Sequence, residues 1–269
     1  MRCREFLAEY ASLIPRHELL WLLAHYTGES KSRIQLENPD LSPETAERVR
    51  AAAYARAEGE PLQYICGLQP FWDFELIVSP AVLIPRWDSE AVLEQALRLL
   101  PPNKPLQAAD ICTGSGAYAL TLKQERPLTE VCACDISPEA LDIARQNAAK
   151  YRLAIDFRQG DLLAALPEGE RYDLIVSNPP YVAAGADLPE DVRREPALAL
   201  FGGVDGLDFY RRLVRENVRD YLKPGGYLLL EIGSGQREAV CQMLAEAGFK
   251  DVRAGQDLAG LDRWVQGQK

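Results

Sequence analysis

The sequence is poor in residues that build metal and redox centres. It has only two histidines, His17 and His25, both distant from Cys132 and Cys134. Its six cysteines, at 3, 66, 112, 132, 134 and 241, form no C-x-x-C pair. No metal site is therefore expected. Cys132 and Cys134 alternate on a strand-like run and should face the same way; they read as small buried apolar thiols. Long apolar runs are also missing. Leu19-Leu20-Trp21-Leu22-Leu23-Ala24 is far short of the ~20 residues of a membrane span. The opening Met1-Arg2-Cys3-Arg4-Glu5 has no signal-peptide core behind it, so the expectation is a cytoplasmic protein with no membrane partner. There is no excess of positive charge. A net charge of −10 argues against nonspecific binding to nucleic acid or anionic membranes and leaves a local basic patch open. No internal repeat or low-complexity tract appears. What remains is ordinary for a soluble globular protein: 47% hydrophobic residues over 269 positions, room for two domains and a sizeable core.

Three regions differ in pattern. Residues 1–65 read as a small bundle of about four helices. Phe6, Leu7, Tyr10, Leu13 and Ile14 fall at helical spacing, and Leu19, Leu20, Leu22, Leu23 and Tyr26 mark a second helix. Ser42-Pro43 is a cap followed by a first-turn proline, and Gly59 should end that helix. With 8 basic and 10 acidic residues this region is no nucleic-acid arm; it is either a scaffold or a docking surface for a protein partner. Residues 66–86 read as a β-hairpin linker. The β-rich Phe71–Val78 would be one arm, and Ala81–Pro85, after a Ser79-Pro80 turn, the other. From residue 87 to 269 a helix capped by Asp88 or Ser89 runs to Leu100, and strands then alternate with helices. The strands expected are Leu106–Ile111, Val131–Asp135, Ile155–Arg158, Tyr172–Ser177, Tyr227–Ile232, Lys250–Arg253 and Asp262–Val265. The helices expected between them are Ala117–Lys123, Pro138–Lys150, Leu207–Leu222 and Gln236–Ala247. The alternation predicts an α/β fold: a seven-stranded, mostly parallel sheet with helices on both faces, preceded by the all-α domain and hairpin.

In such sheets ligands bind at the carboxyl ends of the strands. The first strand runs into Asp110-Ile111-Cys112-Thr113-Gly114-Ser115-Gly116, a glycine-bearing turn that lets a ligand approach the backbone. Asp135 ends the second strand, where an acid can take ribose hydroxyls. Asp161 and Leu162 follow the third, where an acid can accept from an adenine amino group. The turn reads D-x-C-x-G-x-G and not G-x-G-x-x-G, so the pyrophosphate fingerprint is missing and an adenosine ligand without phosphates fits better. The fourth strand stops at Asn178-Pro179-Pro180-Tyr181. Two prolines fix φ and remove two N–H donors. Asn178 and the Pro179 carbonyl then form a rigid pair of acceptors beside the flat ring of Tyr181, suited to a planar –NH₂ group. A Pro-Pro turn after a strand is the plainer use of the same residues; the three acid-bearing strand ends upstream favour the site.

With these motifs the chain resembles class I methyltransferases that use S-adenosyl-L-methionine, and more closely the HemK-type glutamine-N5 methyltransferases of peptide chain release factors. The resemblance covers nearly the whole chain. It includes Gly59-Glu60-Pro61-Leu62-Gln63-Tyr64, Leu83-Ile84-Pro85-Arg86, Glu195–Leu200, Gly202–Leu207 and Leu230-Glu231-Ile232-Gly233. It implies a Rossmann-like fold, release factors as protein substrate, and S-adenosyl-L-homocysteine as the second product. It also implies cofactor binding by Asp110, Cys112, Thr113, Gly114, Ser115, Gly116, Asp135, Asp161, Leu162 and Asn178, and catalysis and substrate binding by Asn178, Pro179, Pro180 and Tyr181. Two positions depart: the family's first loop glycine is Cys112, and its proline after Ile-Pro-Arg is Trp87, followed by Asp88-Ser89-Glu90. A sister family acting on a ribosomal protein shares the catalytic motif but lacks an acid matching Glu90. Methylation of an amino group in nucleic acid would need a basic groove and a recognition insert, and neither is evident. A binding module without catalysis is disfavoured by the intact motif. Residues 182–206 read as a substrate-ordered lid or a solvated connection.

Overall fold

The computed structural model describes residues 1–269. By its internal contacts the chain divides into two units, Met1–Leu68 with Leu188–Arg194, and Gln69–Asp187 with Glu195–Lys269. No helix is long and apolar enough to cross a membrane.

The first unit holds five helices: α1 Cys3–Glu9, α2 Arg16–Thr27, α3 Lys31–Glu37, α4 Pro43–Ala57 and α5 Leu62–Cys66. Phe6, Leu7, Leu19, Leu22, Leu23, Ile34 and Val49 form its core. The Ser42 hydroxyl accepts from Thr45 N–H at 3.0 Å and so caps α4. Leu13 and Ile14 lie in a turn, outside α1. Pro15 disfavours helical geometry at the residue before it and starts α2 afresh. Leu188–Arg194 adds α9 Glu190–Arg193 to this unit. Arg56 pairs with Glu18 at 2.8 Å and Asp191 at 3.5 Å.

A hairpin of β1 Leu68–Phe71 and β2 Phe74–Ile77, of which all but Leu68 belongs to the second unit, comes next. The hairpin therefore lies one arm earlier than the sequence suggests. Phe71–Val78 is not one strand, because Trp72 turns left-handed at φ 51° and reverses the chain. Ala81–Pro85 is not a strand. The buried Asn147 side chain docks the hairpin, accepting from Ile77 N–H at 2.7 Å and donating to its carbonyl at 3.0 Å.

The sheet strands are β3 Gln107–Ile111, β4 Glu130–Asp135, β5 Asp156–Gln159, β6 Tyr172–Ser177, β7 Leu222–Glu231, β8 Lys250–Gln256 and β9 Asp262–Gln268. Their order is β5-β4-β3-β6-β7-β9-β8, parallel except for antiparallel β9. Strand order reverses at β3, whose Asp110 lies level with Ala133 of β4 and Val176 of β6. Alternation along the strands makes two cores. Ala109, Ile111, Cys132, Cys134 and Ile175 face one side, with α11 Asp208–Arg215 and α12 Arg237–Glu246. Ala108, Val131, Ala133, Leu174 and Val176 face the other, with α6 Glu90–Leu99 and α7 Ala117–Glu125. The helices α8 Pro138–Tyr151 and α10 Ala197–Leu200 complete the chain. The helix expected over Leu207–Leu222 stops at Arg215, because Asn217 turns left-handed at φ 56°; a short 3₁₀ turn follows. Cys132 and Cys134 share a face as expected, buried with their sulfurs 3.6 Å apart.

Candidate active site

A cleft open to solvent, about 1220 Å³ with the solvent at its mouth included, lies beyond the carboxyl ends of β3, β4, β5 and β6. This is the reversal point where open parallel sheets bind ligands. Of the residues singled out from sequence, Asp110, Cys112, Thr113, Gly114, Ser115, Asp135, Asp161, Leu162, Asn178 and Pro180 line it. Gly116, Pro179 and Tyr181 do not.

Asp110 organises the first turn from beneath. It is buried, and its Oδ2 accepts from Thr113 Oγ1 at 2.6 Å and Ala119 N–H at 3.1 Å. Burial pushes its carboxyl up to about 7 against those two bonds, with nearby Asp135 adding to the rise. Cys112 sits at φ 63°, a conformation that favours glycine. Gly114 is also left-handed, and a Cβ there would meet nothing within 4 Å, so open space faces it. Gly116 has a different reason to be glycine: a Cβ would come 2.6 Å from Leu120 Cδ1 and 3.2 Å from Ala144 Cβ. It serves the packing of α7 on α8.

Asp135 braces the next turn. Its Oδ2 accepts from Gly114 N–H at 2.9 Å and its Oδ1 from Ser137 N–H at 3.0 Å. Burial raises its pKa, and these two backbone bonds oppose the rise. Asp161 pairs with Arg212 of α11 at 2.9 Å. Arg212 also reaches Glu216 at 3.2 Å, and with Phe209 it lines the cleft. Neither residue was legible as part of the site, since nothing local in α11 points to strand ends fifty residues upstream.

At the end of β6, Ser177 Oγ donates to the Ile111 carbonyl at 2.7 Å and ties the strand to its neighbour. Asn178 is half-buried at the cleft wall, and neither its side chain nor the Pro179 carbonyl hydrogen bonds within the protein. Tyr181 is half-buried, and its hydroxyl donates to Glu231 Oε1 at 3.3 Å. Glu231 is buried at the end of β7 and also accepts from Tyr118; burial raises its pKa. Buried Glu195 accepts from Ile84 N–H at 2.9 Å and pairs with Arg86, which clasps the chain around Ile84-Pro85. Trp87 is exposed, and Asp88 pairs with Arg263 at 3.1 Å. Glu90 accepts from Trp72 N–H at 2.9 Å, so in this structure it secures the hairpin turn.

This sheet order, with one antiparallel strand and a cleft at the reversal point, is that of the Rossmann-like methyltransferase fold. A methyltransferase from Pyrococcus furiosus superposes with a TM-score of 0.57 at 17% identity, over 85% of this chain and 99% of that one, a likeness of fold alone. The profile of the Methyltransferase small domain matches residues 90–194, and that of the PrmC N-terminal domain matches residues 1–67. The release factor glutamine methyltransferase of Geobacter sulfurreducens is 40% identical over 98% of this chain and 93% of its own length. That of Moorella thermoacetica is 45% identical over 93% and 89%. The chain belongs to the release factor glutamine methyltransferases.

Proposed function

We propose that the protein transfers the methyl group of S-adenosyl-L-methionine to the side-chain amide nitrogen (N5) of the glutamine in the Gly-Gly-Gln loop of peptide chain release factors. One observation carries the reading within the site: Asn178, its side chain unpaired, borders the cleft whose other strand ends present Asp135 and Asp161. The lining fits an adenosine ligand that is cationic and lacks phosphates. Its carboxylates outnumber its one guanidinium, and Arg212 is already paired with Asp161 and Glu216. The ligand's sulfonium supplies an electrophilic methyl.

The rest falls to the chain. Asp135 takes ribose hydroxyls, Asp161 and Leu162 hold the adenine edge, and the Asp110–Gly116 turn lets the ligand lie against backbone. A carboxamide nitrogen is a weak nucleophile, because its lone pair is delocalised, so positioning does most of the work. Asn178 Oδ1 and the Pro179 carbonyl accept the two amide hydrogens and stabilise charge growing on nitrogen. Pro180 keeps that backbone rigid, and Tyr181 packs on the amide plane. The bound cofactor would supply its sulfonium methyl to the amide nitrogen, the carbon–sulfur bond breaking to give the neutral thioether S-adenosyl-L-homocysteine, and the surplus proton would pass to water. The helical unit docks the protein substrate, and the enzyme acts in the cytoplasm, where release factors work.

Asn178 Oδ1 at the cleft wall and the Pro179 carbonyl beside it, read as a pair of acceptors, demand an –NH₂ group. A glutamate in place of the target glutamine offers no hydrogens and brings a carboxylate against acceptor oxygens. Asparagine is one methylene too short. Flanking glycines let the loop's backbone come close. The test supplies labelled cofactor with release factor, its Gln→Glu and Gln→Asn variants, ribosomal protein and duplex DNA. Label on the wild-type factor alone is expected. Label on DNA, or equal label on the Glu variant, overturns the reading; preference for ribosomal protein transfers it to the sister activity.

A further inference from the structure

Tyr181 is gripped on three sides by the end of β7 and the short segment that follows it. Its hydroxyl donates to Glu231. Its ring edge lies against Gly233, where a Cβ would come 3.1 Å from Cδ2. Its carbonyl accepts from Gln236 Nε2 at 3.0 Å. The same Nε2 donates to the Gly206 carbonyl at 3.2 Å, while Gln236 Oε1 accepts from Gly233 N–H at 2.9 Å. The chemistry fixes which way this amide points. The two carbonyls can only accept and Gly233 N–H can only donate, so nitrogen and oxygen cannot be exchanged.

Space for this amide exists only because side chains are missing around it. A Cβ on Gly206 would sit 2.7 Å from Gln236 Nε2, and one on Gly233 would sit 3.1 Å from Oε1. Two glycines and a fully engaged amide thus converge on the last residue of the Asn-Pro-Pro-Tyr motif. Proline locks φ at two consecutive positions, so the motif moves as one stiff piece. Anchoring the Tyr181 carbonyl therefore sets the Pro179 carbonyl and Asn178 at its other end.

We infer that Gln236 is a positioning residue for methyl transfer: it fixes the acceptor motif to the end of β7 and to the Gly202–Gly206 loop. The inference rests on the reading of Asn178 and the Pro179 carbonyl as the acceptors. It concerns a residue that touches neither cofactor nor substrate. Its effect should fall on turnover and leave cofactor affinity in place.

The test compares Gln236→Met, which keeps length and loses every hydrogen bond, with Gln236→Glu, which keeps shape and loses both donated hydrogens. Gln242→Met, on the exposed side of the same helix, is the control. kcat and KM are measured with release factor, and cofactor affinity by calorimetry. Hydrogen exchange is followed at Val182 and Gly202, whose N–H groups bond the Leu200 carbonyl at 2.9 Å and the Val182 carbonyl at 2.8 Å. Both Gln236 variants should lose roughly 10–10²-fold in kcat, as displacement of a reacting group does. Cofactor affinity should stay within about twofold, and the two amides should exchange about tenfold faster. A lower melting temperature with unchanged kcat per folded enzyme and unchanged exchange would make Gln236 merely structural and overturn the inference. Wild-type kcat in Gln236→Glu would overturn it as well, and that variant decides if Gln236→Met does not fold. If wild-type enzyme labels no release factor, the proposed function fails, and the exchange rates alone decide whether Gln236 holds the motif.

Discussion

Replacing Asp135 tests the cofactor side of the cleft. A carboxylate offers about four lone-pair sites. Gly114 and Ser137 take one on each oxygen, at 2.9 and 3.0 Å, which leaves one per oxygen for a ribose diol. A hydrogen bond to a charged group contributes about 1.5–3 kcal/mol, and about 1.4 kcal/mol is tenfold in affinity. Asp135→Ala should therefore weaken S-adenosyl-L-methionine and S-adenosyl-L-homocysteine by about 10–150-fold for one lost bond. Asp135→Asn keeps one acceptor oxygen and should fall between Ala and wild type. The two variants also differ in pH response. Burial raises the Asp135 pKa, and the ionised form is the better acceptor. Wild-type affinity should thus decline as pH falls through that raised value, at higher pH than for an exposed aspartate; the Asn variant should lack that step. Calorimetric titration of both ligands across the acid range measures all three proteins. Unchanged affinity in Asp135→Ala, or the same pH step in Asp135→Asn, would remove this carboxylate from the site.

Asn178→Ala should lower kcat by about 10²–10³-fold, as loss of one preorganised polar contact does, with a smaller change in cofactor affinity by calorimetry. Asp110 has its folded pKa raised from 3.8 to about 7, so the folded protein holds the extra proton between those values and stability falls as pH rises through them. Asp110→Asn should flatten that slope by up to about 1.4 kcal/mol per pH unit, read from urea unfolding at a series of pH values. Glu195→Ala should cost about 1–3 kcal/mol by leaving the buried Ile84 N–H without its acceptor, while half-exposed Arg86 regains water; thermal unfolding checks it.

The strand ends were legible because they combine two local signals, an apolar run and the residue that stops it. Asp135, Asp161 and Asn178 follow such runs, and the structure brings all three to one cleft. Helix starts were legible where a cap and a proline coincide, as at Ser42-Pro43 and Ser137-Pro138. What escaped was set by partners distant in sequence. Arg212 belongs to the cleft through Asp161, fifty-one positions away, and the hairpin's docking through Asn147 spans seventy. Gln236 read as the start of a helix, because its contacts with Tyr181 and Gly206 come from two other loops. The hairpin was misplaced because apolar composition across Phe71–Val78 hides a reversal that depends on one dihedral at Trp72.

Dihedral demand also explains what the departure at Cys112 costs. As a sequence change it reads as a matter of room, with a thiol where the family has glycine. The structure makes it a matter of φ, because the position is left-handed at 63°. Leu162, after the next acid but one along the sheet, is left-handed too, at 49°. Each costs an L-residue roughly 1–2 kcal/mol, and neither side chain has the short polar group that eases this conformation in Asn or Asp. Both border the cleft. Such strain persists only where the surroundings over-determine the backbone. At Cys112 they do: Asp110 ties Thr113 and Ala119, and Thr113 N–H donates to the Cys134 carbonyl at 2.9 Å. At Leu162, Asp161 is held by Arg212, and its carbonyl accepts from Ala164 N–H at 3.1 Å. The acids of the first and third strand ends therefore serve the fold before any ligand arrives, forcing two turns into a geometry that the residues in them would not choose.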